Sequence, residues 1–148
     1  MKISAKGRYA LAAMTHLAFH YGAGNLVTIS SISDKLGISK IYLEQIFSLL
    51  RREELVWSAK GAQGGYRLKA APENISAWQI LQTVETGLSE SAAKTVGDDS
   101  PALEAALTEC VFTRLDKAVY SALIEVSLAD ILSEAEKQQP AGSQMYFI

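Results

Sequence analysis

S-K-I-Y-L-E-Q-I-F-S-L-L-R-R-E-E-L-V-W-S-A-K-G-A-Q-G-G-Y-R-L, residues Ser39 to Leu68, decides the fold. Leu43, Ile46, Phe47 and Leu50 recur at three- and four-residue spacing, which lines one face of a helix reaching about Arg52. Ser39 is a good N-cap for it. Leu55 to Ala59 reads as a short strand. The glycines at 61, 64 and 65 turn the chain back, and Tyr66 to Leu68 returns as a second strand. Upstream, Thr28 to Leu36 reads as a short helix, with Ile29, Ile32 and Leu36 on one face and Gly37 ending it. Gly37-Ile38-Ser39 is then the three-residue turn of a helix-turn-helix. Helix, turn, helix and glycine hairpin in that order predict a winged helix-turn-helix. The expected fold class is mainly α with a small β-hairpin wing, plus a long dimerisation helix.

The rest of the chain supports this. At 148 residues, with 49% apolar and 20% charged, it is long enough for one well-packed domain with a dimerisation element. No apolar run reaches the ~18 residues of a membrane span. The opening Met1-Lys2-Ile3-Ser4-Ala5-Lys6 lacks the apolar core of a signal peptide. Cys110 is the single cysteine, so no intrachain disulfide forms. The expected location is the cytoplasm, with no membrane contact. The net charge of −2 hides a division: residues 1–70 carry ten Lys and Arg against four Asp and Glu, and residues 71–148 carry four against twelve. A basic half joined to an acidic half suggests an anion-binding module and a self-associating or sensing module.

Lys6 to Tyr21 is a mostly apolar helix stopped by Gly22 and Gly24. Ser76-Ala-Trp-Gln79 is a capping box that opens a helix to about Glu85. Gly87 to Asp99 reads as an acidic loop, and Ser100-Pro101 as the N-cap and first-turn proline of a long helix. Leu103, Leu107, Val111, Leu115, Val119 and Val126 form its apolar stripe. That stripe is longer than a winged domain can cover, so it is assigned to a two-fold homodimer. Ser127-Leu-Ala-Asp130 begins a last short helix to about Lys137, and a polar tether leads to Tyr146, Phe147 and Ile148. The expected organisation is a DNA-binding domain over 1–85, an effector loop, dimerisation helix and last helix over 86–137, and a tail over 138–148.

Recognition helices present their N-terminal residues to base edges in the major groove. Here these are Ser39, Lys40, Tyr42, Glu44 and Gln45, where Glu44 can accept from cytosine N4 and Gln45 can bond adenine. Lys60, beside glycines and with Arg67 behind it, suits a phosphate or the minor groove. Lys2, Lys6 and Arg8 are expected on phosphates. Thr28, Arg51, Gly61, Gly64, Gly65 and Tyr66 complete the expected DNA-facing set. Taken singly, the helix could be an ordinary amphipathic one and the hairpin a simple turn; their succession favours a grip on double-stranded DNA. His16 and His20 sit at i, i+4 but lack further ligands in sequence, so no metal is expected. No nucleophile, base and orienting group come together, which argues against an enzyme.

M-K-I-S-A-K-G-R-Y-A-L, Y-L-E-Q-I, L-x-x-L-R, G-A-Q-G-G-Y and V-S-L-A-D-I together resemble the BadM/Rrf family of bacterial transcriptional regulators, over nearly the whole chain. The resemblance implies a winged-helix homodimer with a crossing dimerisation helix, and base reading by the Ser39-to-Gln45 residues, notably Glu44, and by Lys60. Relatives usually carry arginine at the Lys60 place; lysine keeps the charge without the forked geometry. Many members hold an iron–sulfur cluster on three cysteines before the long helix. Here Gly87 to Asp99 has none, and the last ligand position falls near Ala106 while Cys110 lies within the helix. No cluster and no other cofactor is therefore expected, and Cys110 reads as a small buried or interface residue. The cluster-free branch it most resembles represses cysteine metabolism and partners cysteine synthase (O-acetylserine sulfhydrylase). In that reading Tyr146, Phe147 and Ile148 dock the enzyme by their terminal carboxylate and apolar side chains; in the other reading they fold onto their own dimer. Two alternatives stay open for the whole: a regulator sensing redox or another metabolite, and an interaction module that no longer binds DNA.

Overall fold

Helix α1 (Ala5–Phe19) is the central element. Ala10, Ala13, Met14, Leu17 and Ala18 are all buried, and the small alanines let neighbours pack closely. The structure, a computed structural model, describes residues 2–90 and 93–140. Tyr146, Phe147 and Ile148 lie outside the described residues. α2 (Ile29–Leu36) starts where the Thr28 hydroxyl accepts from Ser31 N–H at 3.1 Å and stops at Gly37, whose φ of 70° is left-handed. α3 (Lys40–Arg52) starts at Ser39, whose hydroxyl accepts from Tyr42 N–H at 3.2 Å. Ile38, between the two, is buried in the core.

The hairpin pairs β1 (Val56–Ala59) with β2 (Gly65–Leu68), Val56 opposite Leu68 and Trp57 opposite Arg67. Alternation buries Val56 and Leu68 and leaves Trp57 outside, its ring 4.5 Å under the Arg67 guanidinium. Val27, just before α2, adds a one-residue third strand. Val27 and Tyr66 exchange two backbone hydrogen bonds of 2.8 Å.

α4 (Ala77–Val84) opens with the expected capping box: Gln79 N–H donates to the Ser76 hydroxyl, and Ser76 N–H to the Gln79 side chain. The long helix is one path in three parts: α5 (Pro101–Leu107), a π-helical turn over Thr108–Phe112, and α6 (Thr113–Ile124). A stripe spaced by fours drifts about 40° per step on a 3.6-residue helix, and a wider turn absorbs that drift. Two expectations are corrected here. Ser100 makes no side-chain cap; instead the Glu104 carboxylate accepts from Thr95 and Val96 N–H at 3.0 Å each, tying the loop to α5. Val126 lies beyond the helix, half-buried, and its carbonyl accepts from Ala77 N–H at 2.8 Å, so it belongs to a junction with α4 rather than to the stripe.

α7 (Leu128–Lys137) has the second expected capping box, Ser127 with Asp130. Ser76 and Ser127 bridge, and Leu128 N–H donates to the Ile75 carbonyl at 2.9 Å. Leu128 is fully buried in the same core as α1 and α3. Leu128 thus returns the chain to the core built on α1 and α3. No helix among the described residues is long and apolar enough to cross a membrane.

Gly65 is the tightest point of the hairpin. It has φ 147°, and a Cβ there would stand 2.7 Å from the Val27 carbonyl oxygen. Gly65→Ala is expected to cost about 2 kcal/mol or more, while Gly22→Ala, in open space, leaves the thermal midpoint unchanged; paired melting curves check both.

Candidate nucleic-acid interface

Burying Leu43, Ile46, Phe47 and Leu50 fixes the rotation of α3 and turns Lys40, Ile41, Glu44, Gln45 and Ser48 to solvent. Ile41 is 72% exposed, and sequence reasoning missed it. It lies two residues before Leu43, off the buried stripe, which is the signal that could have found it. An apolar side chain on such a face suits the methyl group of thymine. The expected residues divide by task. Lys40, Glu44 and Gln45 project. The hydroxyls of Ser39 and Thr28 cap α3 and α2. Tyr42 is half-buried, its ring edge-on to Tyr9 at 5.3 Å, so it seats α3 on α1.

The wing divides in the same way. Lys60 and Gly61 are exposed, and space beside Gly61 is open. Gly64 and Gly65 serve the fold itself: a Cβ at Gly64 would meet the Ala59 carbonyl oxygen at 2.4 Å. Tyr66, expected among the DNA-facing residues, is instead half-buried with its ring 4.5 Å from Phe47. It fastens the wing to the base of α3. Arg51, exposed, donates to the Ser58 hydroxyl at 3.4 Å and adds a second tie between α3 and β1.

Lys2 and Arg8 are exposed and Lys6 half-buried around the start of α1. Sequence reasoning did not find what holds that start. Ser4 N–H donates to the Glu85 carboxylate at 3.0 Å, the Ser4 hydroxyl donates to the same oxygen, and the Ser4 hydroxyl accepts from Gly7 N–H at 3.2 Å. Glu85, at the end of α4, thus caps α1 across the fold.

The α5–α6 face is bare in the single chain. Leu103, Val111 and Leu115 are about half exposed, Leu107 and Val119 half-buried, and no residue from Pro101 to Ile124 is buried. Tyr120 and Ile124 extend this apolar face and were not anticipated. Cys110 is exposed within the π turn.

The family profile for Rrf2, described as an iron-dependent transcriptional regulator, matches residues 3–134. The chain belongs to the Rrf2 family. It is 37% identical over 145 residues to the HTH-type transcriptional regulator IscR of Aliivibrio salmonicida (strain LFI1238), covering 97% of this chain and 84% of that one. Among solved structures it is similar to CymR, the global cysteine regulator of B. subtilis (TM-score 0.74, 36% identity, 90% of this chain and 98% of that one). It is similar also to T. potens IscR (TM-score 0.73, 35% identity, 99% and 96%). This Rrf2 chain is thus a transcriptional regulator of a DNA-binding family, not an enzyme. Iron–sulfur ligation does not fit its donors: a cluster takes about four protein ligands, the chain has one thiol, and among the described residues no three His, Cys, Asp or Glu gather as a metal site.

His16 and His20 do come together, ring centroids 4.9 Å apart. Burial, then the neighbouring His20 and Lys35, lower the His16 pKa from 6.5 to about 4; burial also lowers that of His20. Between those pH values the unfolded chain binds more protons than the folded one, so acid favours unfolding. Stability is expected to fall by up to about 3 kcal/mol as pH drops from 6.5 towards 4. His16→Gln should remove most of that slope, measured by urea unfolding at several pH values.

Proposed function

We propose that this chain is a homodimeric repressor whose two α3 helices enter successive major grooves and read an imperfect palindrome. The observation that carries this reading is the joined surface of α3 and wing. An exposed helix face of Lys40, Ile41, Glu44 and Gln45 is locked by Phe47–Tyr66 and Arg51–Ser58 to a hairpin presenting Lys60. In this reading Ile41, Glu44 and Gln45 select bases, while Lys60, Lys2, Lys6 and Arg8 neutralise phosphates, so affinity falls steeply with salt. The bare face of Leu103, Val111, Leu115, Tyr120 and Ile124 is the seam between the two copies, because apolar area of that extent is costly in water. The 1–85, 86–137 and 138–148 division remains a division of tasks: grip on DNA, pairing with input, and tether. The workplace of such a protein is the cytoplasm.

The finer reading is control of cysteine and sulfur-metabolism genes, with Tyr146, Phe147 and Ile148 docking cysteine synthase. Similarity to the cysteine regulator CymR supports it, as does a Gly87-to-Asp99 loop without a thiol. A family regulator sensing redox or another metabolite without a cluster is the second reading, favoured by the similarity to IscR at almost the same identity.

In gel shifts against upstream DNA of sulfur genes, Lys60→Ala is expected to weaken binding and lower the salt slope by about one. Glu44→Ala should relax sequence preference by about 1–3 kcal/mol at one position with little loss of overall affinity; an unaltered preference removes Glu44 from base reading. Leu115→Arg should turn the dimer into monomers in sedimentation and abolish binding to the palindrome. Deleting Tyr146 to Ile148 should abolish co-purification with cysteine synthase and spare DNA binding; retained enzyme would end the tail reading.

A further inference from the structure

Between the turn that follows α1 and the hairpin lies a cleft of about 320 Å³, within the size range of small-molecule sites. Tyr21 and Asn25 line one side of it, and Trp57, Arg67, Leu68 and Lys69 the other. Two aromatic rings here meet water: Tyr21 is 43% exposed and Trp57 42%. Leu68 is buried and gives the cleft an apolar back. Both charged lining groups are cations, and no carboxylate lines the cleft. The two cations are not equivalent. The Lys69 ammonium is paired with the Glu54 carboxylate at 3.1 Å. The Arg67 guanidinium lies 4.5 Å from the centre of the Trp57 ring and pairs with no carboxylate among the described residues. Resting on the indole pre-orients the guanidinium fork and spends none of its N–H donors.

We propose that this cleft binds an organic monocarboxylate with a flat apolar body, its carboxylate on Arg67 and its body against Tyr21, Trp57 and Leu68. One unspent cation matches one negative charge, and a planar fork matches the two oxygens of a carboxylate. A phosphate dianion calls for the second cation, which Glu54 already holds. A cationic ligand is repelled by both Arg67 and Lys69. The aromatic walls favour a ring over a bare ion, because ring contacts add to the area removed from water. The Asn25 amide offers a neutral hydrogen-bonding group in the same lining. No lining residue belongs to α3, and the Trp57–Arg67 pair lies two ladder pairs in from the Ala59–Gly65 end of the hairpin. The site is therefore separate from Lys60 and from the projecting face of α3. A ligand held there touches the loop leading into α2 at Asn25 and strand β2 at Arg67 together.

The chain has two tryptophans, so its indole N–H signals make a direct test. Trp57→Phe assigns them by removing one. The full chain is titrated with 3-phenylpropionate at fixed ionic strength and neutral pH. The Trp57 signal is expected to shift saturably in the millimolar range or below, while Trp78 stays in place. The neutral amide of the same acid and acetate should each bind at least about tenfold more weakly, since one lacks the charge and the other the ring. Arg67→Met, at an exposed position where the amide spectrum checks the fold, should weaken binding about tenfold or more. Arg67→Lys should fall between the two, keeping the charge without the fork. Shifts that do not saturate, equal binding of the amide or of acetate, or unchanged binding in Arg67→Met would overturn the proposal. So would a Trp57 signal that answers to a short DNA duplex and not to the carboxylate, which would assign Arg67 to a phosphate of nucleic acid instead.

Discussion

The seat of α3 governs the rest of the molecule. Leu43, Ile46, Phe47 and Leu50 are each essentially removed from water, and each such side chain contributes about 1.5–3 kcal/mol. Rotating the helix by one residue would bury Lys40 or Glu44 in their place. The outward face is therefore settled by what lies inward. Phe47 does double duty: it fills the core, and its ring supports Tyr66, so the hairpin takes its bearing from the same side chain that orients the helix.

Two long-range ties then close the chain upon itself. Glu85 holds the first turn of α1, and Leu128 returns to the core after the long excursion through α5 and α6. The acidic half is thereby anchored to the basic half at both of its ends. The Glu85 tie and the Ser76–Ser127 bridge both join the acidic half to elements that frame α1.

Much of this was legible in the amino-acid order. Local signals carried through: Ser39, Gly37, the Ser76 and Ser127 capping boxes and the buried stripe of α3 are properties of neighbouring residues, and each is satisfied within a turn of its own position. Contacts across the chain were not legible. Nothing near Val27 announces a partner at Tyr66, and Glu85 shows no sign in sequence of capping a serine 81 residues earlier. Val126 followed the spacing of the stripe, yet the helix had already ended at Ile124 because its backbone was needed by Ala77. At the candidate site the projecting Lys40, Glu44, Gln45 and Lys60 were readable. The inward turn of Tyr66 and the outward turn of Ile41 follow from packing that only the folded chain specifies.

The bridge between Ser76 and Ser127 also sets a mechanical scale. The helical path from Pro101 to Ile124 is roughly 36 Å long and is rooted beside that bridge at one end. A tilt of only about 5° at the root sweeps the far end through about 3 Å. A helix of that length, rooted there, would turn slight adjustments among α1, α4 and α7 into displacements at its far end comparable with the spacing between successive bases.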